Sequence, residues 1–80
     1  MLDFLQQSNK VIGIKQTNKA LNQDLVKTLY LAKDADHHLI AKLEEVANEK
    51  GIEIVYVDSM KELGKACGID VSAASAALLK

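Results

Sequence analysis

The chain reads as a three-layer α/β/α domain with four strands between helices. Three observations predict it. Apolar runs of helical period alternate with runs of strand length from end to end. No proline, internal repeat or low-complexity linker interrupts them. One run, residues 28–32 (TLYLA), is continuously apolar, as expected of a central strand buried on both faces. Eighty residues allow a single core and no second one. Hydrophobic residues make up 49% of the chain but aromatics only 4%, so that core must be built from Leu, Ile, Val and Ala.

The elements follow in order. Residues 3–9 read as a short helix with Leu2 and Leu5 as core contacts. Residues 10–14 form a short apolar strand running into Gly13, and residues 15–23 a helix closed by the polar NQD. Ala20 and Leu21, with Leu25 beyond them, supply the apolar side that pins this helix to the core. After the strand at 28–32, AKDAD is a loop in which Asp34 or Asp36 can cap the next helix. That helix spans 37–50, with apolar residues at 39, 40, 43, 46 and 47, and ends at Gly51. Residues 52–57 are a strand. Ser59 caps a helix that runs to about Cys67, framed by Gly64 and Gly68, then GIDVSA is a loop and residues 73–79 are a final strand. Phe4, Tyr30 and Tyr56 are too few and scattered to form a stacking platform for bases and read as core.

Composition narrows the class. The net charge is −1, but the charges are segregated: residues 10–33 carry five lysines against Asp24 alone, whereas residues 34–62 carry eight carboxylates against Lys42, Lys50 and Lys61. A local basic surface on a near-neutral protein suits one specific anionic site better than indiscriminate polyanion binding. Arginine is absent, leaving lysine as a point charge for phosphate. The single cysteine, Cys67, excludes an internal disulfide and an all-cysteine metal site, and it reads as a buried structural thiol in a reducing compartment. The start MLDFLQQSN lacks the pattern of a secretory signal, and no apolar run approaches membrane-spanning length, so a cytoplasmic protein without a membrane partner is expected.

The stretch GIKQTNKAL carries the most chemistry. On a helix, Lys15, Gln16 and Lys19 share one outward face. Gly13, without a Cβ, lets another backbone approach closely. The first helical turn offers unpaired N–H groups and a positive dipole end to a phosphate or a purine edge. Gln16 adds a donor and an acceptor on one planar amide, able to pair with a base edge. The plain alternative is a solvated helix face that happens to carry lysines.

Two further stretches compete for a role. In LYLAKDADHH, two carboxylates at i and i+2 after a strand could converge on a divalent cation, although helix capping explains Asp34 and Asp36 more simply. His37 and His38 are adjacent, diverge by about 100° on a helix, and read as surface residues. In MKELGKACGIDVSAA, Ile69 and Val71 alternate with polar residues in a loop. Either both tuck under it into the core, or they form an apolar platform for an unstacked base.

Taken together, GIKQTNKAL, LYLAKDAD and SMKELGKACGIDVSAASAA resemble the ribosomal protein family of the L7Ae type, which binds kink-turn RNA, and most closely its small bacterial YbxF-like members. The resemblance runs from about residue 8 to residue 79. It implies a sandwich with a four-stranded mixed sheet, no enzymatic activity and no cofactor. It also implies an RNA site. Gly13, Lys15, Gln16 and Lys19 match the G-x-N-E-x-x-K pattern that reads the sheared G·A pairs beside the kink, with Ile14 between them; Lys15 replaces the usual asparagine and Gln16 the usual glutamate. Glutamine keeps an acceptor for a guanine N–H but loses the charge that strengthens the bond. Ile69, Asp70, Val71 and Ser72, with Ala73, match the loop that cradles the extruded nucleotide, and Lys65 matches a basic residue near the backbone. Lys33 and Lys61 complete the basic contacts; where many members place lysine directly after the serine, this chain has Met60 and then Lys61. The implied partner is a structured RNA with a kink-turn, in a ribosomal or mRNA-associated setting, bound by a monomer. Two alternatives stay open: a small metal-dependent phosphoryl-transfer enzyme using Asp34 and Asp36, and a protein-binding adaptor served by the acidic half.

Overall fold

A computed structural model describes residues 9–80. The core roles expected of Leu2, Leu5 and Phe4, and all but the last residue of the helix expected over residues 3–9, lie outside the described residues. From Asn9 onward the order is β1 (Lys10–Ile12), α1 (Ile14–Asn22), β2 (Val26–Ala32), α2 (His37–Glu49), β3 (Glu53–Val57), α3 (Met60–Ala66) and β4 (Ser75–Leu79).

The four strands form one mixed sheet in the order β1-β4-β2-β3, with β4 antiparallel to both neighbours and β2 parallel to β3. β2 is buried at every position except Lys27, which its near-continuous apolar sequence requires of a strand covered on both faces. The register separates those faces. Leu29 pairs with Ala77 and Leu31 with Ser75, and the Ser75 hydroxyl reaches Thr17 of α1, so these residues face the α1 side. Tyr30 and Ala76 point the other way, where Tyr30 comes close enough to Cys67, at the end of α3, for the two groups to interact. α1 and α2 pack on one another, while α3 lies against β2, β3 and β4. The core is aliphatic, with Leu21, Leu29, Leu31, Leu43 and Leu63 fully buried and Tyr30 as its aromatic member among the described residues.

The helix ends follow from local chemistry. Asp36 caps α2, its Oδ1 accepting the His38 N–H at 2.8 Å. Ser59 caps α3, its Oγ accepting the Glu62 N–H at 3.1 Å. Gly51 (φ 67°) and Gly68 (φ 77°) take the left-handed conformation that ends α2 and α3.

Several expectations need correcting. β1 stops at Ile12 rather than 14, because Gly13 (φ 97°, ψ 156°) occupies a region essentially restricted to glycine and turns the chain straight into α1. β2 begins earlier than expected, at Val26. Leu25 is 45% exposed and does not pin α1, since the helix has already ended and Asp24 (φ 58°) has turned the chain. Leu39 is 42% exposed, so the buried stripe of α2 is the narrower set Ile40, Leu43 and Ala47. Tyr56 is 48% exposed, because β3 lies at the side of the sheet; its hydroxyl donates to Glu44. Gly64 sits inside α3 rather than framing it.

Candidate nucleic-acid interface

Three strands end, and the fourth begins, at one end of the sheet. Ile12 closes β1 opposite Ala76, Ala32 closes β2 opposite Val57 at the end of β3, and Leu31 faces Ser75 at the start of β4. The connections leaving there are therefore neighbours. They are Gly13 with the first turn of α1, the Lys33–Asp34 turn, the approach to α3, and the 68–74 loop. Gly13, Ile14, Lys15, Gln16, Lys33, Lys61, Ile69, Asp70, Val71, Ser72 and Ala73 all lie on these connections or on the first turns they open. Lys19 stands one turn further along α1, and Lys65 in the last turn of α3.

Backbone bonds fix the arrangement. The Gly13 N–H donates to Ser75 O at 2.8 Å, and Gly13 O accepts the Thr17 N–H at 3.0 Å, so the start of α1 is fastened to the start of β4. Val71 precedes Ser75 by only four residues, a reach of at most about 14 Å. Gln16 is three helical residues beyond Gly13, roughly 4.5 Å along the axis. The polar helix tip and the apolar loop thus occupy the same end of the domain.

The loop is seated on α3. Ala73 N–H donates to Met60 O at 3.0 Å and Ile69 N–H to Gly64 O at 3.1 Å. A Cβ on Gly64 would stand 2.1 Å from Val71 O, so glycine is what allows the loop to lie there. Around Gly13 a Cβ would meet nothing within 4 Å of this chain, and its φ is the reason for glycine there. A sequence signal for Gly64 was available, since a glycine inside a helical run costs about 1 kcal/mol against alanine and so needs a compensating reason. Asp34 adds a tie that sequence reasoning missed, its Oδ1 accepting the Met60 N–H at 2.8 Å and joining the turn after β2 to α3.

The exposed groups differ in character. Lys15, Gln16, Asn18 and Lys19 face solvent on α1, whose first turn has neither a side-chain cap nor an acidic residue. Val71 is 70% exposed, whereas Ile69 is partly buried against the core, so the two readings of this loop divide between the two residues. Ala73 is 3% exposed, and its side chain frames the loop from inside. Lys33 is exposed and paired with Asp58 at 3.4 Å. The basic segment is not one patch: Lys27 lies at the far end of the sheet, sharing a cavity with Asp24, Lys50 and Lys80, where Asp24 pairs with Lys50. Asp34 and Asp36 are each engaged with a backbone N–H at a helix start, the capping role. Cys67 is buried, and that burial pushes its thiol above the ordinary range, outweighing the pull of Lys10; it stays protonated and structural.

Comparison with known proteins decides the kinship. The profile of the ribosomal protein L7Ae/L30e/S12e/Gadd45 family matches residues 2–80. The chain belongs to this family. Over 68 residues it is 56% identical to the RNA-binding protein TTE2299 of Caldanaerobacter subterraneus subsp. tengcongensis, covering 85% of this chain and 83% of the relative. It is 46% identical over 76 residues to the RNA-binding protein YbxF of Geobacillus stearothermophilus, covering 95% and 93%. Among solved structures, the Giardia lamblia 15.5kD RNA binding protein superposes with a TM-score of 0.90, covering 99% of this chain and 70% of that one. At 24% identity that likeness speaks for the fold, and it agrees with the mixed four-stranded sheet of this L7Ae-family member.

Proposed function

We propose that this protein is a non-enzymatic RNA-binding protein that recognises a kink-turn and stabilises it, in a ribosomal or mRNA-associated setting. One observation carries the reading: the α1 tip with Gln16 and the loop with exposed Val71 emerge side by side at one end of the sheet, fastened through Gly13 and Ser75. Relatives named as RNA-binding proteins support the class of ligand.

The physical task is to hold a bent RNA. A sharp kink crowds phosphates and unstacks a base, so free RNA populates it poorly. A protein with affinity for the bent form alone shifts the population toward it by its differential affinity. Lys15 and Lys19, with Lys33, Lys61 and Lys65, offset the phosphate repulsion. Gln16 reads the G·A step by pairing its amide with base edges. Val71 shelters the extruded base, with Ile69, Asp70, Ser72 and Ala73 shaping the loop beneath it. The free N–H groups of the first turn of α1, guarded by Gly13 and Ile14, complement the nearby phosphates.

The test is binding to a kink-turn RNA beside the same RNA with its G·A pairs changed to Watson–Crick pairs. Marked preference for the unaltered RNA is expected. Equal affinity for both would refute the reading.

A further inference from the structure

Beside the first turn of α1, in the seam where α1 meets α2, lies a cavity of about 220 Å³ lined by Ile14, Lys15 and Asn18 from α1 and by Leu39, Lys42 and Leu43 from α2. Its floor is aliphatic, and Leu39 stands 42% exposed at its rim although it belongs to an apolar helical stripe. No carboxylate lines it, and among the described residues neither Lys15 nor Lys42 forms an ion pair. Four nearby carboxylates are engaged elsewhere, Asp34 with Met60 N–H, Asp36 with His38 N–H, Asp58 with Lys33 and Glu44 with Tyr56, while Glu45 follows Lys42 by three residues on α2 without lining the cavity. The cavity is therefore a positive groove with an apolar base. Ile14 and Lys15 make it continuous with the site already described.

We infer that this groove holds one single-stranded nucleotide, continuing the RNA strand beyond the kink-turn, with its base against Ile14, Leu39 and Leu43 and its phosphate between Lys15 and Lys42. The inference rests on the proposed function and extends its footprint onto α2. Charge selects the occupant. Two lysines without a carboxylate favour an anionic backbone, and the apolar floor removes the face of an unstacked base from water. Asn18 offers a donor and an acceptor to the base edge, so it can tune which base is accepted.

The experiment compares a blunt-ended kink-turn RNA with versions carrying a short oligouridine overhang on each strand end in turn. One overhang is expected to tighten binding by roughly three- to tenfold and to steepen the log–log salt dependence by about 0.7, the contribution of one single-strand phosphate. Lys42→Gln and Leu39→Gln should each abolish that gain while leaving affinity for the blunt RNA unchanged; both residues are exposed, so the fold should tolerate them. The inference is overturned if no overhang tightens binding, or if the gain survives in both variants, which would leave the groove to a partner of another class. Failure of the blunt RNA to bind overturns the proposed function itself, whereas blunt binding without any overhang gain overturns this extension alone.

Discussion

The Ser75 hydroxyl donates to Thr17 Oγ1 at 3.2 Å, and both residues are completely buried. This buried side-chain hydrogen bond joins α1 to β4 beside the Gly13–Ser75 backbone bond. It therefore sets how the helix tip is placed against the loop that feeds β4. The bond gives the Ser75 O–H an acceptor and Thr17 Oγ1 a donor in an otherwise aliphatic layer.

Removing one partner leaves the other in a low-dielectric site. Ser75→Ala or Thr17→Val should each lower stability by about 1–3 kcal/mol, the cost of a buried polar group that has lost its partner. The double variant should lose less than the two singles together, because no orphaned hydroxyl remains. Urea unfolding followed by circular dichroism measures all three.

Gln16 and Lys19 are exposed, so their replacement should touch binding and spare stability. Gln16→Ala should cost roughly 1–3 kcal/mol against a kink-turn RNA, as base-edge contacts do. Lys19→Ala should instead reduce the slope of log affinity against log salt by about one unit while leaving the preference for G·A pairs intact. Titrations at several salt concentrations separate the two roles.

Gly64 and Val71 touch in the fold but should fail differently. In Gly64→Ala the new methyl collides with Val71 O, so the loop must lift from α3; stability and RNA affinity should fall together, with stability down by about 1–3 kcal/mol. Val71→Ser leaves an already exposed position in place, so thermal midpoint should hold while RNA affinity drops by about 1–2 kcal/mol through loss of apolar contact. Paired melting curves and binding isotherms distinguish them.

Alkaline pH should weaken the fold. Burial pushes both the Cys67 thiol and the Tyr30 hydroxyl above their ordinary ranges, Tyr30 further raised by Glu53 and Cys67. The unfolded chain then releases these protons first, so the contribution they make is fully present below the ordinary thiol value and declines as pH rises through the folded values. Unfolding free energy measured across this range should fall, and Cys67→Ala should remove the earlier part of the decline. Thiol reagents should label Cys67 only on unfolding.

Much of the fold was legible because the local signals agreed. Asp36 and Ser59 sit at helix starts, Gly51 and Gly68 at helix ends, and each fixes backbone geometry within a few residues of itself. The misreadings have a common physical origin. Leu25, Leu39 and Tyr56 are apolar or aromatic at positions where periodicity predicts burial, yet their exposure depends on what covers that side of the element. Lys10, Lys15, Lys19, Lys27 and Lys33 are close in sequence, but successive elements carry Lys27 to the far end of the sheet.

The amino-acid order alone determined the alternation of elements, their caps and the family motifs, because each depends on hydrogen bonds and side-chain periodicity within a single turn or strand. Only the tertiary structure decided that the tip of α1 and the 69–72 loop share one end of the molecule, and that Lys42 comes to stand near Lys15. Those relationships join residues tens of positions apart. They follow from β4 inserting between β1 and β2, a pairing chosen by burial of the whole sheet rather than by any local stretch.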